Sequence, residues 1–225
     1  MIQFSFCIIT DNSIDACERI IHIAKSISEL NIPNYEILII GGEINRFADD
    51  MSKYNMRKIN FDESVKRAWI TKKKNLIVKE CKYENIVMMH DYFIFHKYWY
   101  SYYNKFFEEN DYDVCCNPIL LANGARDYTD WIVWDHPSYP RQSTIPYHDW
   151  SKTKWQYVSG GYFLVKKQFM IENPFDENLS AGDQEDVEWS KRIREKAKII
   201  CNPNSYVRHI KNHRNMTIDT WSKLV

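Results

Sequence analysis

The sequence predicts an α/β fold, a single domain whose mixed, mostly parallel central sheet is flanked by helices. Three observations predict it. Apolar runs at residues 4–10, 36–40 and 86–89 show little polar alternation, as strands covered on both faces do. Between the first two lies a stretch whose apolar residues recur at helical spacing, the mark of an amphipathic helix. The chain's 225 residues suit one domain with ample capacity to bury a core.

Composition excludes several classes. Lys plus Arg and Asp plus Glu both number 30, so no overall field draws in nucleic acid or an anionic surface. The six cysteines include no CxxC pair and suit core positions in a reducing compartment. The start of the chain lacks a basic region and a cleavage site, so it reads as a strand and not as a signal peptide. No apolar run approaches a membrane span. The expected location is cytoplasmic, with peripheral association at the inner face of a membrane left open. Eight Trp and fifteen Tyr hint at a surface that stacks on sugar rings, although cores are the commoner place for aromatics.

In chain order, the strand at 4–10 runs into Thr10, Asp11, Asn12 and Ser13, polar residues able to cap a helix. That helix aligns Ile14, Cys17, Ile20, Ile21, Ala24, Ile27 and Leu30 on one face. The strand at 36–40 closes on Gly41, Gly42 and Glu43, completing a right-handed βαβ unit. Neither GxGxxG nor a Walker motif is present. A third strand is predicted at 56–60. A helix containing Lys72, Lys73, Lys74 and Asn75 then precedes the strand at 86–89. Lysines at a helix start oppose the macrodipole; an anion such as a pyrophosphate would reverse that penalty, and a solvated charge run is the plain alternative.

The strand at 86–89 stops on His90 and Asp91, at the carboxyl edge where open α/β sheets bind ligands; the plain alternative is an aspartate that turns the chain. An aromatic helix at 98–109 and a short strand at 113–116 follow. Residues 117–154 are irregular, with four prolines and with Trp131, Trp134 and Trp150 among polar residues, and read as an acceptor-facing loop or lid. Strands at 155–159 and 162–166 flank Gly160 and Gly161, a pair that either shapes a site or punctuates a turn. A helix start holding Asp183, Glu185, Asp186 and Glu188 has two readings. Acids there cap and stabilise any helix, and clustered carboxylates also raise one another's pKa, as a general base requires. A strand at 199–201 and the stretch from Tyr206 to His213 close the part of the chain that bears chemistry.

Taken together, the ordered set resembles a glycosyltransferase of the GT-A, Rossmann-like fold over nearly the whole chain. It is similar to glycosyltransferase family 2 and, in its second half, to the β-1,4-galactosyltransferases. The motifs that bear the likeness are Thr10-Asp11, Gly42-Glu43, Lys74-Asn75, His90-Asp91, Ser159-Gly160-Gly161, Glu185-Asp186 and Arg208-His209. The resemblance implies residues 1–116 as a nucleotide-sugar-binding half and 117–225 as an acceptor-binding and catalytic half. Thr10, Asp11 and Glu43 would hold base and ribose, Lys74 and Asn75 would lie near the donor phosphates, and Gly42, His90, Gly160 and Gly161 would line the donor. Asp91 and His209 would ligate a divalent metal, Mn²⁺ or Mg²⁺. Asp186, with Glu185 as the neighbouring candidate, would be the base, and Trp131, Trp134 and Tyr162 would face the acceptor. Where the family has Asp-x-Asp this chain has His90-Asp91-Tyr92, one carboxylate fewer, which puts the metal in question. The implied reaction is inverting transfer from a nucleotide-sugar, with UDP-sugars favoured, to a saccharide or glycoconjugate. Two rivals are a sugar-nucleotide pyrophosphorylase, whose glycine-rich loop is missing after Thr10, and a non-catalytic carbohydrate-binding module.

Overall fold

The computed structural model describes residues 1–11, 13–42 and 48–210. The first half holds β1 (Phe4–Ile9), α1 (Ile14–Ser28), β2 (Tyr35–Ile40), α2 (Ala48–Lys53), β3 (Met56–Ile59), α3 (Ile70–Glu80) and β4 (Asn85–His90). Next come β5 (Phe93–Phe95), α4 (Trp99–Glu109), β6 (Val114–Cys116), β7 (Ile119–Leu120), β8 (Ile132–Trp134) and β9 (Gln142–Thr144). The last part holds β10 (Gln156–Tyr157), β11 (Tyr162–Lys166), α5 (Lys167–Glu172), α6 (Glu185–Ile193), β12 (Ile199–Cys201) and β13 (Val207–His209).

Seven strands form the main sheet in the order β12-β6-β11-β4-β1-β2-β3. β3, β2, β1 and β4 pair parallel, and only β11 runs against its neighbours β4 and β6. Strands from both halves of the chain therefore share one sheet. Its residues alternate between two cores, which explains why the strands read as unbroken apolar runs. Phe4, Phe6, Ile8, Val87 and Met89 face α1 and α4, while Cys7, Ile9, Ile86 and Met88 face α3, α5 and α6. All six cysteines are buried.

Ser13 caps α1, its hydroxyl accepting from the Ala16 amide at 3.2 Å. Two three-stranded sheets, β5-β13-β7 and β10-β8-β9, pack beside the main one. The second of these corrects the reading of 117–154 as a loose lid: β8 and β9 lie within that stretch, and Trp131 is fully buried in the core. Among the described residues no helix is long and apolar enough to cross a membrane.

Trp99 joins β1 to α4. It is 0% exposed, meets Phe4 and Phe95 edge-on at 5.2 and 5.1 Å, and donates Nε1–H to the Tyr162 hydroxyl at 3.0 Å. Trp99→Ala is expected to lower the free energy of unfolding by about 3–5 kcal/mol, read by urea denaturation.

Candidate active site

The parallel register sets Ile9 opposite His90, so the residues just beyond the two strands, Thr10 and Asp91, lie side by side. Thr10 Oγ1 donates to Asp91 Oδ2 at 2.8 Å. Arg19, from the first turns of α1, donates Nη2–H to Oδ1 at 3.1 Å and Nε–H to the Asp91 carbonyl at 2.8 Å. Asp91 is thus gripped at both carboxylate oxygens and at its backbone. Gly41 passes so near that a Cβ would stand 2.2 Å from the Thr10 carbonyl, and its φ of +147° is one that glycine adopts freely. Asp11 is exposed, and its carboxylate accepts from the Ser13 amide at 3.0 Å at the start of α1.

The three lysines of α3 are neither a solvated run nor an open anion cradle. Lys72 pairs with Glu177 at 2.5 Å. Lys73 donates to the Thr10 carbonyl at 3.0 Å and pairs with Glu63. Lys74 is 0% exposed, with its ammonium 3.9 Å from Glu185 Oε1 and 4.5 Å from the Phe175 ring centre. Burial pushes the Lys74 ammonium down, while Glu185 and Asp186 pull it up. Lys74 therefore serves as an internal counter-ion to the acidic pair, which corrects its expected place at exposed donor phosphates. Asn75 is corrected too. Its Nδ2 donates to the Phe175 carbonyl and Glu177 at 2.9 and 3.1 Å, and its Oδ1 accepts from the Phe175 amide at 2.9 Å. Those bonds fasten α3 to the segment before α6.

The antiparallel pairing of β11 with β4 brings Gly160 and Gly161 to the carboxyl end of β4, where the His90 amide donates to the Gly161 carbonyl at 2.9 Å. His90 Nδ1 lies 3.2 Å from the Tyr92 hydroxyl. A Cβ on Gly160 would stand 2.9 Å from the Asp186 Cβ and 3.1 Å from Lys74 Nζ, so only glycine lets β10–β11, α3 and α6 meet. Asp186 Oδ2 accepts from the Tyr157 hydroxyl at 2.5 Å and the Gly160 amide at 3.2 Å, and Oδ1 accepts from the Val187 amide at 2.9 Å. The capping-box reading of these acids does not hold. Asp183 folds back onto the Ser180 amide at 2.8 Å, and Gln184, at φ +58°, precedes the helix without a side-chain cap. Glu185 is buried, and burial pushes its carboxyl up against the pull of Lys74.

The remaining expected residues flank this cluster or lie in the core. Trp131 and Tyr162, 0% and 2% exposed, are core residues with no face for an acceptor. Trp134 is half-buried, 5.6 Å from the Tyr157 ring and beneath the Arg141 guanidinium. His209 Nε2 is 3.0 Å from Asp127 Oδ2, and its ring stacks on Tyr92 at 5.3 Å. Burial alone would raise the Asp127 carboxyl, but hydrogen bonds from His209 and Thr129 carry it below the usual range. Glu43 lies outside the described residues. As a metal pair Asp91 and His209 do not fit: the first is engaged by Thr10 and Arg19, the second by Asp127, and among the described residues no three potential ligands cluster. Sequence reasoning also missed Arg19, Tyr157 and a cleft of about 630 Å³ beside the ends of β2 and β3. Gly42 and residues Asn60, Phe61, Asp62, Glu63 and Ser64 line it, and Lys73 links its wall at Glu63 to Thr10.

Solved structures superpose on this mostly parallel sheet and its flanking helices. The fold is that of the GT-A glycosyltransferases. S. aureus TarS 1-349 in complex with UDP-GlcNAc superposes with a TM-score of 0.66 at 13% identity, covering 99% of this chain and 64% of TarS 1-349. TarS 1-349 alone gives 0.66 at 14% identity, with 92% and 60% covered. GalNAc-T7 with UDP, GalNAc and Mn²⁺ gives 0.66 at 15% identity, with 96% and 45% covered. The chain thus spans about three fifths of the TarS 1-349 structures, and the likeness is one of fold. No protein-family model and no curated protein sequence matches the chain. On this GT-A scaffold the Asp91 and Asp186 clusters share the carboxyl edge of the parallel strands, the ligand-binding edge of open α/β sheets.

The Arg19–Asp91 pair is shielded, with side-chain exposures of 16% and 8%, so removing one partner leaves a charge poorly compensated. Arg19→Ala is expected to cost about 3 kcal/mol of stability, measured by chemical denaturation. A cost near zero would show that the Asp91 clamp is not structural.

Proposed function

We propose that this chain is a glycosyltransferase that moves a sugar from a nucleotide-sugar, a UDP-sugar by preference, to a saccharide hydroxyl with inversion. The observation that carries the reading is the meeting of Asp186 with Gly160 and Lys74 on a GT-A sheet, at the same edge as Asp91. Support comes from the UDP and UDP-GlcNAc complexes of TarS and the UDP complex of GalNAc-T7. The cleft between Gly42 and Ser64 has the size and polar rim for a nucleoside, and its link through Lys73 to Thr10 leads from there towards Asp91 and Gly160.

Chemically, the acceptor oxygen attacks the anomeric carbon as the bond to the diphosphate oxygen breaks, and the electron pair departs with the diphosphate. Asp186 takes the hydroxyl proton from the face opposite the leaving group, the layout of direct displacement. Gly160, lacking a Cβ, lets the backbone reach that carboxylate and donate its amide to it. Glu185, paired with Lys74, is the buried neighbour of that base. A surface-glycan or polysaccharide acceptor, and contact with a membrane surface during synthesis, are parts of the same proposal.

A panel of UDP-, GDP- and CMP-sugars tests it, because a true donor raises the melting temperature by mass action. UDP-sugars are expected to raise it and the others not. Asp186→Asn is expected to keep that shift and lose about 10²–10⁴-fold in turnover. A panel with no stabilising nucleotide-sugar, or an Asn variant with wild-type turnover, would defeat the reading.

A further inference from the structure

Asp186 is hydrogen-bonded unequally at its two oxygens. A carboxylate oxygen offers about two lone-pair sites. Oδ2 uses both, accepting from the Tyr157 hydroxyl at 2.5 Å and the Gly160 amide at 3.2 Å. Oδ1 accepts from the Val187 amide at 2.9 Å and keeps the other site. Tyr157 is 7% exposed, sits opposite Ile132 in the β10–β8 ladder and packs its ring against Trp134. Its hydroxyl is therefore aimed by packing.

We propose that Tyr157 is a positioning residue that, together with Gly160, locks Asp186 Oδ2 and so leaves Oδ1 as the oxygen that takes the acceptor's proton. The inference rests on the glycosyl-transfer reading and deepens it. As the acceptor oxygen bonds to the anomeric carbon and the diphosphate departs with its electron pair, the hydroxyl proton passes to Oδ1. Tyr157 keeps its own proton throughout. Burial, with the Asp186 charge beside it, pushes the phenol far above its ordinary range, so the hydroxyl stays protonated and donates to Asp186. The other titratable groups that face the carboxylate are Glu185 on α6, Lys74 from α3 and Tyr92 beyond β4.

Tyr157→Phe keeps the ring and deletes the donor. It is expected to melt like the wild type and to bind UDP unchanged. With UDP release from UDP-GlcNAc and simple saccharide acceptors as the assay, kcat should fall by about tenfold or more at constant donor KM. The acid limb of the pH–rate profile should move to higher pH, because the anion has lost a donor that favours it. A ¹³C-carboxyl NMR titration reads the same effect without turnover, the Asp186 resonance being assigned by its loss in Asp186→Asn. Site-specific difluorotyrosine at 157, a stronger donor, should move that titration the opposite way and keeps the test open should the Phe variant fold poorly. An unmoved titration would overturn the role of Tyr157 and leave the base intact, whereas wild-type turnover in Asp186→Asn would overturn the base itself.

Discussion

The close approach of Gly160 to Asp186 is the constraint on which the site depends. With no room for a Cβ between them, the turn from β10 into β11 lies directly on the first turn of α6, and the Gly160 amide reaches the carboxylate. The Ser190 hydroxyl, one turn further on, accepts from the Val158 amide at 2.9 Å and donates to the Asp186 carbonyl at 2.6 Å. A helix start would ordinarily direct its acids at its own amides. Here Asp186 gives one oxygen to its own helix at the Val187 amide and the other to Tyr157 and Gly160, with the left-handed Gln184 just before the helix.

Around that contact the protein buries charge in pairs. Arg19 with Asp91, Lys73 with Glu63 and Lys74 with Glu185 each join a different helix or loop to the carboxyl edge. Such pairs rarely add net stability, because desolvation offsets the attraction. Their physical effect is registration: a displaced partner leaves a buried charge uncompensated, so α1, α3 and α6 are fixed relative to the strands that end there. The arrangement suits a site that must place groups before a substrate arrives.

Much of the fold was legible because the main sheet is covered on both sides. Strands at 4–10, 36–40 and 86–89 showed no alternation since both faces are core, and α1 displayed its stripe against one of them. Strands β5, β7, β8 and β9, two or three residues each, are too short for a period of two to register. Thr10, Asp91, Gly160 and Asp186, singled out by chemistry and chain position, do meet at one edge of the sheet. The site was illegible where tertiary pairing decides. Lys72, Lys73 and Lys74 look like one run, yet three separate acids meet them. Asn75 follows Lys74 in the motif but faces Phe175, because successive helical residues point about 100° apart. Arg19 reads as a surface residue of an amphipathic helix, although it stands three after Ala16 and four before Ile23, both buried, and so borders the inward face.

The segment at 117–154 shows how an irregular sequence can hold a site firmly. Asp130 gathers four donors: Arg126 Nε and the Trp131 amide at Oδ1, and the Tyr147 hydroxyl and the Ile119 amide at Oδ2, at 2.6–3.3 Å. At 1% exposure, burial pushes this carboxyl up even so. One aspartate thereby ties β7, β8 and the Tyr147 turn together, and Arg126 extends the tie to the Trp131 and Ile145 carbonyls at 3.0 and 3.1 Å. β8 in turn carries Trp134 and pairs with β10, which carries Tyr157. The orientation of Asp186 thus reaches back through Tyr157 and β8 to a carboxylate in the stretch where the sequence shows no periodicity at all.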